Sequence, residues 1–187
     1  MSYAVYKTEA IVIRTIPSGE ANLDVVFLTR DLGKITARVQ AGRKIESKMR
    51  MQLARYAHVV IDVVHGRQLW RLTGVAAVGS ENVFVNETFL KGWHRAITLA
   101  EFLIRGEDPH PELFDFFIHL MQASGMNIPS EGVELFGVIH VLTALGYWHG
   151  ETLPPVLNRE IADVLTSRRK ELVRMINDSL EATQIMV

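Results

Sequence analysis

The chain has 187 residues, of which 48% are hydrophobic and 22% charged, with a formal net charge of −1; this is a globular composition, not that of a disordered tail, and it suits one ordinary domain or two small ones. It contains no cysteine, which excludes a disulfide framework and any thiolate metal site. Its charges are unevenly spread, with 12 basic and 6 acidic side chains in residues 1–74 against 8 and 15 in residues 75–187, so a basic module fused to an acidic one is expected.

In chain order, Tyr3 to Ile16 is rich in Tyr, Val, Ile and Thr and ends at Pro17-Ser18-Gly19, which predicts a strand and a turn. Lys7, Glu9 and Arg14 interrupt this segment where a signal peptide needs an unbroken apolar run, and no stretch reaches 18 uncharged apolar residues. A soluble, cytoplasmic protein with no membrane partner is expected. A second strand is predicted from Leu23 to Thr29. Arg30-Asp31-Leu32-Gly33 then closes a hairpin, its glycine able to take a positive φ, and leads into a third strand at Lys34. There Ile35, Ala37, Val39 and Ala41 alternate with Lys34, Thr36, Arg38 and Gln40, so one face packs and the other is polar and basic. Leu53 to His65, a turn at Gly66-Arg67, and Leu69 to Val78 complete five strands. Five short antiparallel strands with no helical pattern among them fit a small closed barrel; the five-stranded OB-fold is the commonest such arrangement that binds oligonucleotides, and an SH3-like barrel is its competitor.

Beyond Gly79 the pattern becomes helical. Asn86 to Ile104 carries Phe89, Trp93, Ile97, Ala100 and Leu103 at helical spacing and stops at Arg105-Gly106. Pro111 opens a second helix that closes at Ser124-Gly125. A third runs from Ser130, as N-cap, to about Leu145, and a last helix covers Arg159 to Thr183. The fold class is therefore α+β, with an OB-fold barrel over residues 1–79 and an all-α domain over residues 80–187. The Phe114, Phe116, Phe117 cluster reads as packing between helices.

Candidate contacts concentrate in the basic half. Lys34 and Arg38 lie on the polar face of the third strand, and Arg43, Lys44, Ser47, Lys48 and Arg50 follow in a loop opposed only by Glu46, which looks like a phosphate-contacting segment. Solvated charges kept for solubility are the plain alternative. Arg67 and Arg71 flank the last hairpin and either extend the patch or guard an edge strand. Trp70 and Tyr56 are base-stacking candidates, although aromatics in a small barrel usually fill the core. Glu20 and Thr29 are expected to fix turns. His140 and His149 are isolated imidazoles, and the bland reading, a packed or loop histidine, is favoured over a metal site.

Together the segments TEAIVIR, GE at Gly19-Glu20, TRDLGKI at Thr29 to Ile35, AGRKIESKM at Ala41 to Met49, HRAITLAEFL from His94, PELFDFF from Pro111 and LTALGYW at Leu142 to Trp148 resemble the RecO family of bacterial recombination mediators. The resemblance implies an OB-fold that binds single- and double-stranded DNA, strand annealing, and help in loading RecA onto DNA covered by single-strand-binding protein. It further implies RecR as a partner, and recognition of the acidic, phenylalanine-ended tail of single-strand-binding protein by the helical domain. Lys91 and Arg95, four residues apart on one helix face, with Arg105 beyond them, are the candidate clamp for that tail. Many family members carry a four-cysteine zinc site after the LTALGYW segment; here it cannot form. Gln40 and Glu46 also stand where basic residues are common, which implies weaker DNA binding.

No Gly-rich phosphate loop, nucleophile elbow or set of histidines and carboxylates at ligand spacing occurs, so neither turnover, cofactor nor small-molecule substrate is expected. An RNA-binding OB protein of translation and an interaction scaffold acting through the helical half remain as alternatives.

Overall fold

The computed structural model describes residues 4–40, 48–66, 69–79 and 86–182, without the side chains of Lys48 and Arg50. The strands are β1 (Val5–Ser18), β2 (Asn22–Thr29), β3 (Lys34–Val39), β4 (His58–His65) and β5 (Trp70–Ala77). The helices are α1 (Lys48–Gln52), α2 (Glu87–Leu103), α3 (Pro111–Gln122), α4 (Ser130–Ala144), α5 (Arg159–Ser167) and α6 (Arg169–Ala182).

β1 serves two neighbours. Its first half pairs antiparallel with β4, from Val5↔Val64 to Ile11↔His58, and its second half with β2, from Ala10↔Thr29 to Ser18↔Asn22. The register slips between Val12 and Arg14, and a bulge of this kind bends a strand so that it can pass from one partner to the next. β2 pairs with β3 and β4 with β5, both antiparallel. The sheet closes through a parallel contact between β3 and β5, Ala37↔Trp70 and Arg38↔Arg71, in the order β1-β2-β3-β5-β4. The result is the expected OB-fold barrel, with one parallel pair that strand-by-strand reading did not anticipate. β3 and β5 run the same way because the crossover through α1 and β4 separates them.

The barrel is filled from alternate positions: Val25 and Phe27 of β2, Ile35 and Ala37 of β3, Val59, Ile61 and Val63 of β4. Leu53 and Ala57 complete this core from the segment after α1, where the sequence reading had extended a strand. Tyr56 takes a left-handed conformation there, with φ 68°, which takes this stretch out of the extended conformation a strand needs. Ile11, Val26 and Leu28 lie outside this core and are nevertheless buried, so the β1–β2 part of the wall is covered.

Contacts divide the chain into two compact units, Met1–Val83 with Ile104–Phe114, and Phe84–Leu103 with Asp115–Val187. The segment 104–114 is thus a strap belonging to the barrel unit. The Lys34 amide donates to the Gly106 carbonyl at 3.1 Å, and the Trp70 indole N–H donates to Glu107 at 2.7 Å. Phe114 meets the His58 ring edge-on at 5.9 Å, so it serves the barrel and not the helix packing expected of it. Gly33 fits beneath the strap with φ 70°, and a Cβ added there would stand 2.5 Å from the Asp108 backbone.

In the second unit, the side chains of Asn86 and Asn158 cap the first turns of α2 and α5. α4 starts at Ser130 with Pro129 in the cap position and no side-chain cap, contrary to the role expected of Ser130. α2 and α4 approach closely enough that a Cβ on Gly137 would collide with that of Ala96. The helix expected from Arg159 to Thr183 is two helices. Thr166 and Ser167 turn their hydroxyls back onto the Ala162 and Val164 carbonyls, both at 2.7 Å, and Arg168 leaves helical geometry at φ −94°, ψ 12°.

Gly33 and Gly19 provide a matched test of the strap. Both have positive φ, but only Gly33 has neighbours within reach of a Cβ. Gly19→Ala should cost about 1–2 kcal/mol, the conformational penalty alone, and Gly33→Ala clearly more in chemical denaturation; equal losses would mean that the strap is not packed on this turn.

Candidate nucleic-acid interface

With Ala37 and Trp70 facing inward, the next residues of the parallel pair, Arg38 and Arg71, face outward side by side. β2 adds Asp24 opposite Arg38, giving a row Asp24–Arg38–Arg71 across three strands. Arg38 Nε donates to Asp24 Oδ1 at 2.8 Å, and Nη2 donates to Asp24 Oδ2 at 2.9 Å and to Ser18 Oγ at 3.0 Å. The hydrogen bonds from Arg38 hold the Asp24 carboxyl below its ordinary range against the opposing effect of burial, with Ser18 adding to the effect. This planar fork fixes the guanidinium and leaves the two Nη1 hydrogens without an acceptor among the described residues.

Arg71 is exposed and forms no ion pair among the described residues. Asp24 therefore offsets one of two adjacent positive charges, and the row keeps a net charge of about one proton on an open β3–β5 wall flanked by Thr36 and Thr73. Such a wall can accept an anion at Arg71 and orient a second oxygen on Arg38. Lys34 starts β3 opposite Leu28 and is half-buried.

Other candidates lie elsewhere. Arg43, Lys44, Ser47 and Arg67 fall outside the described residues, while Lys48 and Arg50 belong to α1 and not to the loop expected there. Trp70, 6% exposed, and Tyr56 are both buried, and Arg55 lies over the Tyr56 ring at 4.8 Å; neither offers an open platform. Thr29 does fix its turn, donating to the Gly33 carbonyl at 2.8 Å and accepting from the Leu32 amide at 3.0 Å. In the helical unit Lys91 pairs with Glu87 at 3.3 Å and Arg95 with Glu134, so each candidate clamp residue already has a carboxylate. Arg105 is exposed on the strap of the other unit.

Sequence reading missed a cavity of about 450 Å³ within the helical unit, floored by Ile139, Leu165, Leu172 and Met175 and rimmed by Trp148, Glu151 and Arg168. Arg168 is forked onto Glu171 at 3.1 and 3.0 Å and reaches Glu151 at 3.4 Å, contacts that raise its pKa. The break between α5 and α6 creates this rim, and the apolar stripe of one long helix concealed it. His149 lines the same cavity, and His140 lies flat on Phe116 at 4.4 Å with Nδ1 on the Phe136 carbonyl at 2.9 Å. No group of three or more His, Asp or Glu able to hold a metal occurs among the described residues, and no helix among them is long and apolar enough to cross a membrane.

A closed five-stranded barrel with an arginine pair on its open wall, followed by an α-helical unit, defines an OB-fold protein of the oligonucleotide-binding architecture. The family described as "Recombination protein O N terminal" matches residues 1–80. Curated relatives called DNA repair protein RecO include that of Exiguobacterium sibiricum, 23% identical over 141 residues, 75% of this chain and 57% of the relative. That of Thermodesulfovibrio yellowstonii is 27% identical over 150 residues, 76% and 58%, and that of a Nocardioides species 36% identical over 69 residues, 37% and 28%. Residues 1–80 are thus similar to the RecO N-terminal family, and the chain resembles the first two of these relatives over about three quarters of its own length while spanning little more than half of theirs.

His140 supplies a pH test. Burial lowers its pKa below the ordinary 6.5, against the opposing effect of its backbone hydrogen bonds. The folded state then binds fewer protons than the unfolded one just below that value, so the contribution is complete above about pH 6.5 and is lost as pH falls. Melting temperatures should drop more between pH 7.5 and 5.5 for the native chain than for His140→Phe; parallel curves would refute the assignment.

Proposed function

We propose that this chain is a DNA-binding mediator of recombinational repair that works by binding and not by turnover. It grips the phosphates of single- and double-stranded DNA on the β3–β5 wall, anneals complementary strands and assists the loading of RecA on DNA coated by single-strand-binding protein. The observation that carries the reading is the arginine pair, one guanidinium fixed by Asp24 and Ser18, the other open to solvent. Phosphate contacts position nucleic acid without reading its sequence, which suits a protein that must act on any strand. Annealing, RecA loading and RecR as a partner rest on the family resemblance.

The acidic tail of single-strand-binding protein belongs to the same proposal. Lys91 and Arg95 are engaged with Glu87 and Glu134, so carboxylates of the tail must displace those partners. Binding of the tail is then weak and salt-sensitive, of micromolar order at best.

Single-strand binding should weaken with salt at a slope of about −0.7 per phosphate contact. Arg71→Ala should flatten that slope by roughly one such unit, Arg38→Ala with Arg71→Ala by about two, and the double variant should anneal complementary oligonucleotides more slowly. An unchanged slope and annealing rate would remove the wall from the binding site; tighter binding to RNA than to DNA would favour the translational reading instead.

A further inference from the structure

We propose that one end of the barrel carries a stacking site for unpaired nucleobases, built by Tyr6 and His65 around Trp70. The proposal rests on the DNA-binding reading above and adds what a phosphate-facing wall lacks, a preference for single strands.

Tyr6 has the parity of Ala10 and Val12 on β1, and His65 has that of Ile61 and Val63 on β4; both therefore stand on the barrel's inner side, at its end. Trp70 plugs this end. Its ring meets Tyr6 at 5.4 Å and 87° and His65 at 4.8 Å and 83°, and its N–H is held by Glu107, so the base of the site is fixed. A perpendicular contact occupies at most one face of a ring, which leaves Tyr6 and His65 each with a face outside it. Both are open to solvent, Tyr6 by 44%. Val5 and Leu69 are exposed beside them, so apolar surface gathers where a solvated barrel end is normally polar.

The charge nearby selects the occupant. Lys7 and Arg71, each one residue along from Tyr6 and Trp70, are exposed on the outer side of the same strand ends, in reach of the phosphates of a strand laid across the opening. Of the nearby carboxylates, Glu107 is engaged with the indole, and Asp62 stands opposite Lys7 in the β1–β4 register, which offsets Lys7 and makes Arg71 the stronger anchor. Aromatic faces beside cations suit a base and its phosphate; duplex DNA keeps its base faces stacked inside and offers only the second.

The test compares a fluorescent oligothymidylate, an abasic strand of equal length and a duplex. The native chain should bind oligothymidylate more tightly than the abasic strand. Tyr6→Ala should weaken oligothymidylate binding by roughly tenfold while leaving abasic and duplex binding unchanged, and Tyr6→Phe should retain the native affinity. Equal native affinity for thymidylate and abasic strands overturns the site whatever the variants do, as does a Tyr6→Ala, His65→Ala protein that binds oligothymidylate within about twofold of native. Salt-dependent duplex binding in those cases leaves the proposed function standing; failure of the native chain to bind any of the three DNAs overturns both.

Discussion

The structure depends on a very short contact, the parallel register Ala37↔Trp70 and Arg38↔Arg71 that closes the barrel. The contact joins β3 and β5, the two strands that would otherwise be the sheet's edges, and an edge that is paired is less open to the pairing by which small antiparallel sheets aggregate. Because side chains alternate along a strand, the same two-residue register settles what faces each way. One pair sends Trp70 into the core; the next sets two arginines against each other on the outside. Such a juxtaposition of like charges is unfavourable by itself, and Asp24, placed opposite Arg38 by the β2–β3 register, offsets it while leaving Arg71 open. The contact that closes the barrel and the arginine pair on its outer wall are thus one feature of the fold.

Much of this barrel was legible. The alternation of Lys34 to Gln40 assigns β3 its inner and outer faces, and the Arg30 to Gly33 turn has the positive φ at Gly33 that the residue type implies. Family resemblance carried the OB-fold assignment past its SH3-like competitor, and the β1-β2-β3-β5-β4 order bears it out. Pairing across the parallel seam was not legible, because alternation marks which side of a strand is buried but not which strand lies beside it. For the same reason Asp24 drew no attention: a lone carboxylate in an apolar strand acquires its role only when register places it 2.8 Å from Arg38.

Other departures also have local causes. The segment 104–114 lies between two helical patterns and contains Gly106, Pro109 and Pro111, so it reads as a connection; its hydrogen bonds to Lys34 and Trp70 depend on tertiary position alone. Trp70 was weighed as a platform because composition does not reveal burial, and the exposed rings beside it, Tyr6 and His65, looked like ordinary strand residues. In the helical unit the apolar stripe from Ile161 to Leu180 continues in phase across Arg168, which hid the break that rims the cavity. Lys91 and Arg95 share a helix face as spacing requires, but spacing could not show that Glu134, thirty-nine residues away in sequence, meets Arg95.

The central claim is that nucleic acid meets this protein on the β3–β5 wall, where Arg38 and Arg71 adjoin. Amide chemical-shift mapping during titration with a short single-stranded oligonucleotide tests it most directly. The account predicts the largest changes at Thr36, Arg38, Arg71 and Thr73, with small ones along α2 and α4. Changes confined to the helical unit, with the wall unmoved at saturation, would contradict it.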